Sequence, residues 1–307
     1  MPGTTRSHHG YFGALSLAPF ALLVLVFGGY ALGEVIHMAF SHIRVQGGSF
    51  VWSGAGLGNF RHLVDDDSAE SSLLVTALFV AVTSVTSVAF GTALALLVQR
   101  SLRFKALAQT VLLWPAIMAP VVVSLVWLLI LSPNVGTLNK ALATLGLPGQ
   151  DWIGTSGGAL ACIVLVDVWH WTPLVFLLIY AALCGIDEEI VEAARCDGAS
   201  SLQAALFIQL PLLLPSIAGA MFIRVVMGVK AFDEMYLLTN GGPNGATNLV
   251  SLYIHDVFFE QLNYGYGAAV SVAVVLLLAI LIVVFVGLRR ATAMWPSLRQ
   301  FVGERMS

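Results

Sequence analysis

Four side chains with hydrogen-bonding or ionisable groups sit inside long apolar runs of this 307-residue sequence. Asp167, His170 and Trp171 fall at i, i+3 and i+4, so a helix carries them on one face. Arg224 lies mid-way along the next apolar stretch. A charge at the centre of a membrane helix costs about 2.5–3.5 kcal/mol on insertion scales, so such groups face a bundle interior or a wet cavity. Asp167 and Arg224 can pair, and both can hydrogen-bond polar groups of a solute, while Trp171 offers a flat apolar face. Two readings stand: this face lines a solute route, or the charges form an interhelical pair that touches no solute. Lys230, Asp233 and Glu234 form a second cluster, in which Lys230 and Glu234, four residues apart, are expected to pair as a charged collar. Glu34 and His37 read as the same kind of helix-end collar.

No catalytic constellation is present. There is no His-Glu-x-x-His pair of metal ligands on a helix, and a single His170 is weak evidence for acid–base chemistry. Cys162, Cys184 and Cys196 form no Cys-x-x-Cys pair. Cys162 and Cys184 fall in apolar segments and are expected to be small buried packing residues. A nucleotide-binding P-loop needs a Gly-Lys pair to cradle phosphates, and the sequence has none. Ser156-Gly157-Gly158 reads as a turn opening an apolar run. No cofactor is expected on this chain, and any ATP-driven work requires another subunit.

One polar segment interrupts the apolar pattern at 185–212. Asp187 to Gly198 reads as a short helix with an acidic start, which suits the helix dipole, and Gly198 as its stop. A second helix is expected from Ser200 or Ser201 to Leu210, with Pro211 and Pro215 marking the start of the following span. Ile190, Ala193, Ala194 and Ala199 give the element a small-residue face that another protein can approach closely. The alternative is a solvated connector on the membrane surface.

The elements that hold these residues are membrane spans. Hydrophobic residues make up 58% of the chain and charged residues 10%, against about 25% charged in soluble domains; mean hydropathy is +0.90. Lipid is the expected solvent, and a net charge of -3 gives no hint of nucleic acid. Stretches at about 13–40, 72–98, 107–131, 158–184, 213–238 and 266–288 each reach the roughly 20 residues a bilayer core needs. The expected fold is therefore an all-α integral membrane protein of six transmembrane helices. The run after Arg6 is too long for a signal peptide and reads as an uncleaved first span. With the N-terminus inside, the inner side holds nine Lys and Arg (Arg6, Arg100, Arg103, Lys105, Arg195, Arg289, Arg290, Arg299 and Arg305), and the outer side three (Arg44, Arg61 and Lys140). That asymmetry puts both termini in the cytoplasm. The expected organisation is a tail at 1–12, a six-span membrane domain at 13–290 and a tail at 291–307. Outer loops at about 41–71, 132–157 and 239–265 are too short to fold as domains, and Asn240 to Gly245 reads as successive turns. Trp114, Trp127, Trp169 and Trp295 read as interface anchors or core.

The segment Glu192-Ala193-Ala194, three residues, Gly198, nine residues, then Ile208-Gln209-Leu210-Pro211 resembles the cytoplasmic loop of ABC importer permeases of the binding-protein-dependent kind. Cys196 departs slightly from the branched apolar residue usual before Asp-Gly in that loop. Pro115, Pro120, Trp127, Gly136, Asn139, the run Tyr236–Thr239 before Gly241-Gly242-Pro243, and Tyr266-Gly267-Ala268-Ala269 are similar to the carbohydrate-uptake branch. The resemblance covers about 70–290. It implies a cytoplasmic coupling helix between spans 4 and 5, docked on an ATPase through Glu192, Ala193, Ala194, Asp197, Gly198, Ile208, Leu210 and Pro211. It also implies two ATP-binding-cassette ATPase subunits that bind the ATP and Mg, a second homologous permease, an extracellular solute-binding protein, and the cell membrane of a prokaryote. Two rivals are a secondary transporter, which more often shows internal repeats and broken helices, and a membrane-embedded enzyme.

Overall fold

The computed structural model describes the backbone of residues 8–100 and 105–304, and the side chains of 16–44, 47–99 and 106–290. Residues 1–7 and 305–307 of the expected tails lie outside the described residues. So do the side chains of Arg6, Arg100, Arg103, Lys105, Trp295, Arg299 and Arg305. The chain divides into two compact units, Asp67–Tyr253 and the segments on either side of it.

In the flanking unit, α1 (His8–Leu23) and α2 (Gly29–Ala39) are joined by a π turn at Val24–Gly28. From Ser16 to Gly33 its side chains are exposed, as expected where lipid is the solvent, whereas Val35 and Met38 are half-buried and Ala39 is buried against Ala268 and Ala269. A two-stranded hairpin follows, β1 (Ser41–Gln46) and β2 (Ser49–Gly54), with Ser41 opposite Gly54 and Gln46 opposite Ser49. Its turn uses Gly47 and Gly48, both at positive φ. Buried Asn59 on α3 (Gly58–Val64) donates to the carbonyls of Ala39 at 2.9 Å and Ser41 at 3.1 Å, tying the span end to the hairpin. Gly265 is needed because a Cβ there would strike the Ser41 carbonyl. The last helix is longer than the expected 266–288. It runs from Tyr264 through residue 290 to Glu304, so the tail expected at 291–307 is helical as far as it is described.

In the central unit, α4 (Asp67–Arg100) packs along α8 (Ser156–Leu183). Their approach is close because Gly91 faces Val175; a Cβ on Gly91 would sit 2.7 Å from the valine Cγ1. Val88, Ala95, Phe176, Ile179, Leu183 and Leu213 complete this apolar core. The loop between the third and fourth spans is organised by buried Asn139 on α7 (Thr137–Thr144). Its amide donates to the Pro133 and Gln150 carbonyls at 2.9 and 2.8 Å and accepts from the Trp152 indole at 2.9 Å.

Three expectations are corrected here. The third span is not one rod: α5 (Lys105–Ile117) and α6 (Pro120–Leu131) meet at 96°. Ala119 is extended, at φ -66° and ψ 139°, because the residue before a proline is driven out of the α region. The fifth span does not start at Pro211. One continuous helix runs from Ser201 to Val229, comprising α10 (Ser201–Ala204), a π turn at Ala205–Gln209 and α11 (Leu210–Val229). The extra residue in the π turn relieves the clash of the Pro211 ring with the preceding turn. Nor does that span continue to 238: it stops at Val229 and resumes as α12 (Asp233–Leu238). By length and apolarity the described residues hold five continuous spans, or six if the bent pair counts as one. The turns expected at Asn240–Gly245 are present, with Asn240, Gly241, Asn244 and Gly245 all at positive φ. The short α13 (Val250–His255), whose Val250 amide donates to Thr76 Oγ1 at 2.8 Å, was not expected.

Candidate functional site

The intramembrane charges converge on α8. Arg224 Nη2 on α11 donates to Asp167 Oδ1, with both side chains at most 2% exposed. His170, one turn further along α8, reaches two breaks at once. Its Nδ1 lies 3.1 Å from Glu234 Oε1 at the start of α12, and its Nε2 lies 3.3 Å from the Met118 carbonyl where α5 gives way to α6. A carbonyl only accepts, so Nε2 donates to Met118, which leaves Nδ1 facing the Glu234 carboxyl. The imidazole thus supplies a partner to a carbonyl that the bend has freed from the helix ladder. Arg224 keeps two donors, Nε and Nη1, with no partner among the described residues.

Asp167, His170 and Arg224 are brought together as one buried cluster, whereas Trp171 is only half-buried, its ring 4.4 Å from that of His170. None of the four lines a mainly apolar hollow of about 950 Å³ between α4, α5 and α8 that includes Phe79, Phe90, Pro115, Trp169 and Thr172. The expected Lys230–Glu234 collar is not formed. Lys230 is exposed in the break between α11 and α12, so the two residues do not share a helix, and Glu234 is 3% exposed and turned to His170. Glu234 and the Met118 carbonyl are the functional groups that sequence reasoning missed. Pro120 signals the first break, and Asp233-Glu234 beyond Gly228 read as the acidic start of a new helix. Cys184, expected to be buried, is exposed at the end of α8, and Cys162 is half-buried. Trp114 is exposed, and Trp127 meets Trp169 edge-on at 5.6 Å.

The polar segment between α8 and α11 forms an elbow. Its first helix, α9 (Glu188–Cys196), buries Ala194 alone and leaves Glu192, Ala193 and Arg195 exposed. Ala199 N donates to Ala194 O and Gly198 N to Arg195 O, both at 3.0 Å, the paired bonds of a Schellman stop. Gly198 sits at φ +87°, where a side chain is strained. Asp197 and Ser200 are exposed beside it, and Ser200 with Gln203 forms a reciprocal capping box that starts α10. Glu192, Ala193, Asp197 and Gly198 therefore share the exposed elbow. Ile208 and Leu210 are half-buried in the helix that leads into the bundle, and Pro211 is exposed on it.

Broken spans around a buried charge cluster, with an exposed helical elbow between two spans, describe a polytopic membrane protein. The chain belongs to the family of binding-protein-dependent transport system inner membrane components, which matches residues 87–293. It is 32% identical over 210 residues, 68% of either chain, to a probable ABC transporter permease protein of Sinorhizobium fredii. It is 33% identical over 197 residues (64% of this chain, 67% of the other) to a trehalose/maltose transport system permease protein of Thermococcus litoralis. It is 30% identical over 252 residues (81% and 79%) to a trehalose transport system permease protein of Mycobacterium tuberculosis. In fold it is similar to a chain of a bacterial ABC transporter involved in alginate import, with TM-score 0.80 at 19% identity over 92% of this chain and 96% of that one. The family expected from the Glu192 to Pro211 segment is borne out.

Proposed function

We propose that this chain is a transmembrane subunit of an ATP-binding-cassette importer that moves a carbohydrate or related polar solute into the cytoplasm. The sugar class rests on the relatives named for trehalose and maltose transport. The observation that carries the energy coupling is the elbow. Helix α9 buries one side chain against its own unit and exposes the acidic and small residues around Glu192, so a second protein must hold it for it to transmit force. Of two ATPase subunits that bind ATP and Mg, one engages the elbow; a second homologous permease completes the solute route, and an extracellular binding protein delivers solute. The functional region spans 13–290 with both termini cytoplasmic, in keeping with nine inner against three outer Lys and Arg.

Alternating access uses the two breaks. The segments beyond them, α6 and α12, are pinned to α8 through His170; releasing the pin uncovers the face of Asp167, His170, Trp171 and Arg224 to solute. Broken helices also occur in secondary transporters and so do not separate the two classes. The elbow and the family do. The test is isolation from native membranes in mild detergent. Recovery of a P-loop ATPase and a second permease, lost in the Glu192→Lys variant, supports the reading. A chain recovered alone, or with its ATPase unaffected by that substitution, overturns it.

A further inference from the structure

Beneath α9 lies a hollow of about 530 Å³, lined by Gln99, Leu183, Glu188, Arg195 and Gln209 among others. Across it, α9 buries only Ala194, and the short link 184–187 joins it to α8. On its other side, displacement of the elbow travels along the chain, through the Gly198 stop and the Ser200 capping box, into α10 and the π turn. At the end of that turn Gln209, 6% exposed, turns its side chain inward, and its Nε2 donates to Gln99 Oε1 on the last turn of α4 at 3.1 Å. Helix α4 is in turn locked to α8 where Gly91 meets Val175, and to α11 where Gly228 meets Val80.

From this hydrogen bond across the feet of two spans, we infer that Gln209 and Gln99 are positioning residues. They tie the foot of the fifth span to the foot of the second, so that the elbow and α4 move as one body. The inference rests on the coupling role of the elbow given above. An apolar residue would fill the same volume, but it would hold the helices at no particular register. An amide pair fixes one, because buried Gln209 left without its partner is costly. π turns also recur where helices must adjust at functional positions.

The tie is tested in the purified complex by spin-label distances between Cys196 on α9 and a Leu97→Cys label on the exposed side of the last turns of α4, in a Cys162→Ser, Cys184→Ser background. Distances are recorded with and without Mg·ATP. The parent should give one narrow distance that ATP leaves unchanged. Gln209→Met should broaden it and raise the displaced population about fivefold, the factor one ordinary net hydrogen bond supplies. Gln209→Glu, whose carboxylate accepts from the Gln99 amide once that amide turns its Nε2 toward it, should restore the narrow distance; loss of packing alone would not be rescued in this way. Gln99→Met reads the same bond from its less buried side should Gln209→Met fail to fold. A parent-like distance in either Met variant, with ATPase still bound, overturns the tie and leaves the importer reading intact. Broadening in a permease that never recovers an ATPase supports the tie and overturns the importer reading.

Discussion

Replacing Arg224 with Met should strand the Asp167 carboxylate inside the bundle. The pair is all but sealed, at 1% and 2% side-chain exposure, and removing one partner of a buried pair costs about 3–5 kcal/mol. The guanidinium already carries two donors without partners among the described residues, so the native pair is incompletely satisfied and the loss should fall near the lower figure. About 3 kcal/mol shifts the unfolding equilibrium on the order of a hundredfold. Removing both charges is different, since a buried pair replaced by apolar residues of similar volume is often neutral or stabilising. The variants Arg224→Met, Asp167→Leu and the double substitution therefore form a cycle. Unfolding of each is followed in detergent, alongside ATP-dependent uptake of radiolabelled trehalose and maltose by cells carrying the complete system. Both single variants should be strongly destabilised, and the double variant should regain stability without regaining uptake. A single variant as stable as the parent would refute the buried-charge reasoning. A stable double variant with parental uptake would make the pair purely structural and remove it from the solute route.

Two other perturbations act on the breaks and the elbow. His170→Leu strips Glu234 and the Met118 carbonyl of their shared partner, so hydrogen exchange in α6 and α12 should rise by at least tenfold, from the roughly 1–3 kcal/mol cost of each buried group left unpaired; parental exchange would refute the pin. Gly198→Ala forces a side chain into φ +87°, a cost of about 1–2 kcal/mol, and should lower ATPase recovery with the permease while its membrane level holds. Gly198→Pro also removes the amide that bonds Arg195 O and should abolish that recovery, whereas a Gly198→Pro complex of normal composition would exclude the elbow as the docking element.

The spans were legible because apolar length is a one-dimensional property, and the elbow because Glu192, Gly198 and Pro211 occur at a particular spacing. Pairing of Asp167 with Arg224 followed from the cost of either charge alone in lipid. What the sequence hid was where helices stop. Pro115, Pro120, Pro211 and Pro215 look alike in a row of letters, yet only Pro120 follows a break, because Ala119 finds an extended conformation there while a π turn absorbs Pro211. Glu234 was misassigned for the same reason. On an unbroken helix Lys230 is its i-4 neighbour, but with the helix ended at Val229 its partner is His170, 64 residues away. The β1–β2 hairpin was missed because Asn59, which anchors it, carries no periodic signal.

The central claim, that ATP hydrolysed by partner subunits drives solute through this chain, is tested most directly in proteoliposomes. The co-purified complex is reconstituted with its binding protein and radiolabelled trehalose or maltose on one side and Mg·ATP on the other. The account predicts uptake that requires ATP on the elbow side and disappears with Glu192→Lys while the permease remains inserted. Uptake that needs no ATP and follows an imposed proton or sodium gradient would contradict it.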